Sequence, residues 1–97
     1  MARLIYAHAL KDLERLTDFL PASDLAAASE TVELIAEAVQ ILENHPMIGR
    51  PAEHGMRELV ISRGRSGYLA LYSHEGEHDV VLVLAIRHQR EAGYASE

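Results

Sequence analysis

Cysteine is absent from the 97-residue chain, and lysine occurs once, as Lys11. Without cysteine there is neither a disulfide framework nor a thiolate zinc site, so packing or a partner has to stabilise the fold. The longest apolar run has seven residues, whereas roughly 20 are needed to span a bilayer. The first residues also lack the long apolar segment of a signal peptide. We therefore expect a cytoplasmic protein that does not contact the membrane.

Positive charge is also scarce, because the formal net charge is −6 at pH 7. Residues 1–49 carry eight acids and three bases, whereas residues 50–97 carry seven acids and six arginines. A wide contact with a phosphate backbone needs a basic surface, so nucleic acid is disfavoured as a direct partner. A small arginine-lined site in the second half of the chain is compatible with this charge distribution.

The seven apolar residues 80–86 predict the central strand of one domain, residues 1–97. They are too few for an ordinary helix and rich in β-branched types, which is typical of a strand buried on both faces. The run stops at Arg87-His88-Gln89-Arg90, and Tyr94 follows. The strand therefore delivers basic and phenolic side chains to one edge of the sheet.

Two helices are predicted between residues 8 and 44. Leucines at helical spacing mark the first helix, which Pro21 ends: Leu10, Leu13, Leu16 and Leu20. Ser23 or Asp24 can cap the second helix, which runs to about Asn44. Its apolar stripe includes Val32, Ile35, Val39 and Leu42 and is widened by Leu34, Ala38 and Ile41. The wide stripe either contacts both the first helix and the sheet or leaves surface for a partner.

Strands are predicted at residues 3–7, 56–62, 67–73 and 79–86, with a loop at residues 48–55. The element order is then β-α-α-β-β-β. This order predicts an α+β domain in which an antiparallel αα-hairpin packs on one face of a mainly antiparallel four-stranded sheet.

The basic cluster after residue 86 is the main candidate site. Guanidinium groups make charge-assisted, often bidentate hydrogen bonds, so Arg87 and Arg90 can bind a phosphate or a carboxylate. His88 can act as an acid or base near neutral pH, and Tyr94 as a proton donor. The alternative is a chain that becomes polar where it leaves a buried strand.

Two polar turns are weaker candidates. The turn at residues 74–78 holds two histidines and two glutamates, but nothing completes a ligand set at recognisable spacing. We therefore predict a solvated turn there and no metal site. Arg63 and Arg65, in a glycine-containing turn, form either a small anion nest or a plain exposed turn.

The element order and four motifs together resemble the RelE/ParE superfamily of bacterial type II toxins, over essentially the whole chain. The motifs are Ala9-Leu10-Lys11-Asp12-Leu13, His45-Pro46-Met47-Ile48-Gly49-Arg50-Pro51, Gly67-Tyr68-Leu69-Ala70-Leu71-Tyr72 and Val83-Leu84-Ala85-Ile86-Arg87-His88-Gln89-Arg90. The resemblance implies a RelE/ParE-like fold and a functional role for the basic cluster.

RelE-like members of this superfamily are ribosome-dependent mRNA endonucleases, which use arginines and lysines to stabilise phosphate charge. Leu69 stands where their third-strand motif has a catalytic arginine, and His88 replaces an arginine of their terminal motif. For a nuclease, the resemblance implies His88 as base or acid, Arg65, Arg87 and Arg90 as charge stabilisers, and Tyr94 as proton donor. The leucine and the single lysine make this activity the second choice.

The chain looks more like the ParE-like, or plasmid stabilisation, branch, whose members inhibit DNA gyrase without being enzymes. The implied partners are gyrase and a cognate antitoxin of the ParD-like, ribbon-helix-helix type, through which alone DNA would be contacted; no cofactor is implied. The expected target-binding residues are Arg87, His88, Arg90 and Tyr94. The expected antitoxin-binding residues are Leu13, Leu16, Leu20, Leu34 and Ile41. A third alternative is a family member that has lost toxicity and only binds its antitoxin.

Overall fold

The computed structural model describes residues 1–18, 25–63, 66–91 and 93–94. Its elements are, in chain order, β1 (Arg3–Tyr6), α1 (Ala9–Asp18), α2 (Leu25–Gln40), β2 (Arg50–Pro51), β3 (Arg57–Arg63), β4 (Ser66–Glu75) and β5 (Val80–His88). A short 3₁₀ turn, Ile41–Glu43, continues α2, and a second one, Glu53–Gly55, precedes β3. The predicted caps Ser23 and Asp24 lie outside the described residues, as does Pro21. No helix in the described part of the chain is long and apolar enough to cross a membrane.

The five strands form one mixed sheet in the order β1-β5-β4-β3-β2. Strand β1 runs parallel to β5, and the other three pairings are antiparallel. The predicted α+β class, with helices and a mainly antiparallel sheet, is confirmed. The predicted number of four strands is wrong by one, because Arg50 and Pro51 of the expected loop pair with Glu58 and Arg57. Proline has no backbone N–H to donate, so it fits an edge strand such as β2.

The helices cover one face of the sheet, and the core lies between the helices and that face. From β5 the fully buried side chains are Val81, Val83 and Ile86, and from the second helical segment they are Ile35, Val39 and Leu42. The predicted apolar stripe of the second helix therefore does supply core residues, with the exception of Val32, which is 38% exposed.

The opposite face of the sheet carries no helix, and we call it the open face. Side chains alternate along a strand, and Tyr72, Ala70 and Ile86 belong to the core on the helical side. Their neighbours therefore lie on the open face, where the pairing aligns them across strands β3 to β5: Glu58 with Leu71 and Ala85, and Leu69 with Arg87. Leu69 and Ala85 are nevertheless buried. The open face thus has a small buried patch of its own beside Arg87.

Helix α1 confirms the leucine stripe in part, because Leu16 is buried and Leu13 packs against the core. Ala9, Asp12 and Leu16 are buried, whereas Leu10 is 61% exposed. The carboxylate of Asp12 accepts a hydrogen bond of 2.9 Å from the backbone N–H of Ile86. This buried polar contact turns the helix so that Leu10 faces solvent.

The loop before β2 is fixed by a buried tyrosine. The Tyr72 hydroxyl donates to the Pro46 carbonyl at 2.7 Å and accepts from the Gly49 N–H at 2.8 Å. The guanidinium of Arg57 donates to the carbonyl of Gly49 at 2.6 Å. A Cβ atom on Gly49 would lie 2.6 Å from the tyrosine oxygen and 2.9 Å from the Glu58 carbonyl. The His-Pro-Met-Ile-Gly-Arg-Pro motif therefore holds β2 against β3.

Candidate functional site

Four polar side chains form a connected row on the open face, which we call the open-face cluster: Arg50, Glu58, Tyr94 and Arg87. One carboxylate oxygen of Glu58 accepts from Arg50 Nε at 2.9 Å and Nη2 at 2.5 Å. The other oxygen accepts from the Tyr94 hydroxyl at 2.5 Å. The guanidinium carbon of Arg87 lies 5.1 Å from the centroid of the Tyr94 ring, which is cation–π distance. The row thus alternates cation, anion, phenol and cation.

Tyr94 crosses the open face above strand β4. It contacts Glu58 on β3 and Arg87 on β5, and β4 lies between these two strands. The β4 residue on this face that pairs with Arg87 is Leu69. An apolar side chain suits this place, because Leu69 is buried and a third cation there would lie beside Arg87.

The cluster changes the protonation behaviour of two of its members. Burial and the hydrogen bond to Glu58 raise the pKa of Tyr94 well above its ordinary value, so the phenol keeps its proton at neutral pH. Burial by itself would raise the pKa of Glu58, but the hydrogen bonds from Tyr94 and Arg50 and the two guanidinium charges outweigh it and lower that pKa. The cluster therefore contains a carboxylate and a neutral phenol donor.

Because the pKa of Glu58 is lowered in the folded state, this residue stabilises the fold above its ordinary pKa of about 4.3. The contribution is lost as the pH falls through the lowered value. We therefore expect the free energy of unfolding to drop as the pH falls below about 4.3, and to drop less in Glu58→Gln. Urea denaturation at a series of pH values from neutral to acidic measures this free energy. Glu53→Gln, which changes an exposed acid in a turn, is the control. Equal slopes for the wild type and Glu58→Gln would contradict the expectation.

A second polar network holds the chain after β5 from the side of helix α1. Strand β1 ends its pairing at Val83, so β5 has no neighbouring strand beyond that point on this side. Asp12 and Arg15 bond the N–H and the carbonyl of Ile86 instead, at 2.9 and 3.3 Å. Glu91 accepts from the His88 N–H at 2.9 Å and from Arg15 at 2.7 Å. Side chains thus replace the missing strand and fix the start of the segment that carries Tyr94.

The structure separates the members of the predicted basic cluster. Arg87 and Tyr94 come together on the open face, and the Arg87 guanidinium also donates to the carbonyl of Glu91 at 2.7 Å. His88, the next residue of the strand, pairs with Tyr68 and makes an edge-to-face contact with its ring at 5.3 Å. Since Tyr68 packs against the core, His88 lies on the helical side of the sheet. Arg90 is exposed, and its backbone N–H donates to the His88 ring at 3.1 Å.

The other predicted site residues are spread over the helical side or lie outside the described residues, as Arg65 and Leu20 do. Leu16 is buried in the core, and Leu13 and Leu34 are half-buried against it. Ile41 is 46% exposed. The antitoxin-binding set stays a prediction, for which Ile41 offers the most accessible surface.

In the turn between β4 and β5, the ligand atoms of Glu75, Glu77 and His78 lie within 4.8 Å of one another. All three residues are exposed, and Glu75 accepts hydrogen bonds from the backbone N–H groups of Glu77 and His78. His74 bonds Asp79 instead, at 2.9 Å. Hydrogen bonds within the turn account for this arrangement.

Glu58 and Arg50 are the members of the open-face cluster that were not predicted as site residues. The alternation of β3 places Glu58 on the face away from Leu59, so strand period was an available signal for its side of the sheet. Its hydrogen bond to Tyr94 joins residues 36 positions apart, and no local pattern predicts such a pair.

Comparisons with known proteins agree on one kind of protein. A family model described as the ParE toxin of the type II toxin–antitoxin system parDE matches residues 5–93. The chain is similar to Toxin RelE3 of Caulobacter vibrioides, with 34% identity over 83 residues that make up 86% of this chain and 88% of that protein.

Two solved structures have a similar fold. The first, of the chromosomal ParDE system from P. aeruginosa, has a TM-score of 0.72 and 26% identity and covers 91% of this chain and 96% of that one. The second, of the toxin–antitoxin complex RelBE2 from Mycobacterium tuberculosis, has a TM-score of 0.59 and 25% identity. The match covers 91% of this chain and 98% of that one.

Proposed function

The chain belongs to the ParE toxin family of type II toxin–antitoxin systems, and we propose that it acts in the ParE manner. It binds and inhibits DNA gyrase, and a cognate antitoxin neutralises it. The open-face cluster, and Arg87 and Tyr94 in particular, is the surface presented to the target.

The observation that carries this proposal is that both cations of the open-face cluster are already bonded within the protein. Arg50 is paired with Glu58, and Arg87 bonds the Glu91 carbonyl and stacks on Tyr94. Cleavage of RNA at a phosphate requires cations preorganised toward the developing charge. A surface that is held together by its own ion pair suits binding to a protein better than phosphoryl chemistry.

The placement of the candidate acid and base supports the same proposal. His88 lies on the helical side of the sheet, away from Arg87 and Tyr94. The Tyr94 proton is bound by Glu58, and the raised pKa makes this phenol a poor proton donor to a leaving group. Leu69 supplies no charge beside Arg87.

An antitoxin of the ParD-like, ribbon-helix-helix type is the proposed partner, and any DNA contact goes through it. Both solved neighbours are toxin–antitoxin systems. Large apolar side chains of this chain are exposed at the end of α2 and in the loop after it, namely Ile41, Met47 and Ile48. A partner that covers these residues removes apolar surface from water.

The test uses the purified chain with gyrase and, separately, with translating ribosomes. We expect inhibition of supercoiling, intact messages, and relief of inhibition by the cognate antitoxin. The ribonuclease alternative is favoured by the similarity to Toxin RelE3; messages cut on ribosomes with gyrase unaffected would establish it and overturn the proposal. A chain that binds its antitoxin but affects neither target would be the non-toxic alternative.

A further inference from the structure

We propose that Glu58 is a positioning residue, whose carboxylate fixes Tyr94, and through Tyr94 also Arg87, in the geometry that meets the target. The target contact itself is made by Arg87 and Tyr94. The role in inhibition rests on the proposed function, whereas the fixing of the two side chains is a property of the free protein.

The carboxylate of Glu58 is built into the sheet. Glu58 belongs to β3, with Arg50 of β2 paired on one side and Leu71 of β4 on the other. Its side chain is 13% exposed, and three hydrogen bonds reach its two oxygens. A side chain held by two neighbouring strands and three hydrogen bonds has little freedom to move, so it can serve as a fixed point.

Tyr94 depends on that fixed point. It follows β5 by six residues, and the anchor before it, Glu91, is bonded on the side of α1. On the open face the phenol contacts the Glu58 carboxylate at its oxygen and the Arg87 guanidinium at its ring. Removing the carboxylate leaves the hydroxyl without that acceptor, and Tyr94 then keeps only its contacts with Arg87, the guanidinium over its ring among them.

Glu58 also separates two positive charges. Arg50 pairs with it directly, and the charge of Arg87 acts on it as well. Without the carboxylate the guanidiniums of Arg50 and Arg87 repel each other across the open face with no anion between them. Loss of Glu58 therefore loosens the arrangement of Arg87 both through Tyr94 and through charge.

The experiment compares the wild type with Glu58→Ala, Glu58→Gln, Tyr94→Phe and the double variant Glu58→Ala/Tyr94→Phe. Glu53→Ala, which removes an exposed acid from a turn, is the matched control. In the free protein, two signals report the positions of Tyr94 and Arg87. The first is the pH at which Tyr94 ionises, followed by tyrosinate absorbance and assigned by its loss in Tyr94→Phe. The second is the NMR signal of the Arg87 Nε–H group. We expect Glu58→Ala to lower that pH and to broaden or average the Arg87 signal. Glu53→Ala should change neither.

For inhibition of gyrase we expect Glu58→Ala to raise the half-inhibiting concentration about tenfold, and the double variant to be no weaker than the weaker single one. Glu58→Gln keeps an oxygen acceptor for the hydroxyl but lacks the negative charge, so it should recover part of the activity that Glu58→Ala loses. Unchanged antitoxin binding shows that each variant is folded. The proposal would be overturned if the losses of inhibition in the two single variants multiply in the double variant. It would also be overturned if the Tyr94 and Arg87 signals of Glu58→Ala equal those of the wild type. A wild-type chain that does not inhibit gyrase refutes the proposed function, while the two signals of the free protein still decide whether Glu58 fixes Tyr94 and Arg87.

Discussion

Replacing Arg87 with alanine is expected to weaken binding to gyrase by about 30- to 1,000-fold, which corresponds to about 2–4 kcal/mol. Arginine beside an aromatic ring is typical of the residues that dominate protein interfaces. Arg87 is half-buried, stacks on Tyr94, and is anchored through the Glu91 carbonyl. On the proposed function, the target meets a guanidinium whose conformation these contacts already restrict, so little further entropy would be lost on binding.

Titration of gyrase with the purified variants measures the effect, and growth arrest in cells should follow the same order. Arg3→Ala is the matched control, since it removes an exposed arginine from another strand of the same sheet. Arg87→Lys keeps the charge but not the planar group, and we expect it to recover only part of the affinity. If Arg87→Ala folds, binds the antitoxin and inhibits gyrase as the wild type does, the open-face cluster is not the target surface.

The second large effect is expected from Tyr72→Phe, which should lower the free energy of unfolding by about 2–4 kcal/mol. The Tyr72 side chain is fully buried, and its hydroxyl bonds the Pro46 carbonyl and the Gly49 N–H. Phenylalanine keeps the ring but leaves both backbone groups without that partner. An unpaired buried group costs about 1–3 kcal/mol, and because the Gly49 N–H is buried whereas the Pro46 carbonyl is only partly buried, the sum for the two groups lies in the lower part of its range.

Urea denaturation followed by circular dichroism measures this loss. Tyr68→Phe is the control, because the Tyr68 hydroxyl has no hydrogen bond to the residues that the structure describes and the residue is only partly buried. The loop that Tyr72 fixes leads directly to Arg50, so the variant should also weaken the pairing between Arg50 and Glu58. A stability equal to that of the wild type would mean that the loop is held mainly by Arg57.

The parts of the fold that were predictable are those with a strong local pattern. The apolar run at residues 80–86 gave the central strand, and helical spacing in α2 gave Ile35, Val39 and Leu42 as core residues. Strand β2 was missed because it has two residues, includes a proline, and exists only through its pairing with β3. Asp12, an acid between the predicted leucines of α1, is buried because it bonds a backbone group 74 residues away, which helical spacing does not reveal.

The candidate site was predictable only in part, because local sequence indicates Arg87, whereas neither its separation from His88 nor the involvement of Glu58 was predicted. A cluster that is contiguous in sequence suggested a common site for Arg87 and His88, but adjacent residues of a strand point to opposite faces of a sheet. Strand period therefore contained the signal that separates them. The contact between Tyr94 and Glu58 depends on how the chain turns after β5, and composition and spacing do not encode that path.

The parallel pairing of β1 with β5 bears on when the protein becomes active during its synthesis. Strand β1 is synthesised first but cannot pair until residues 80–83 of β5 have been synthesised. The core residues of both helices likewise cannot pack fully before β5 is present. Contacts so distant in sequence form late and slowly. Arg87 and Tyr94 emerge from the ribosome later still. On the proposed function, a nascent chain therefore has no completed target surface, and a cognate antitoxin would have time to bind the chain while it folds.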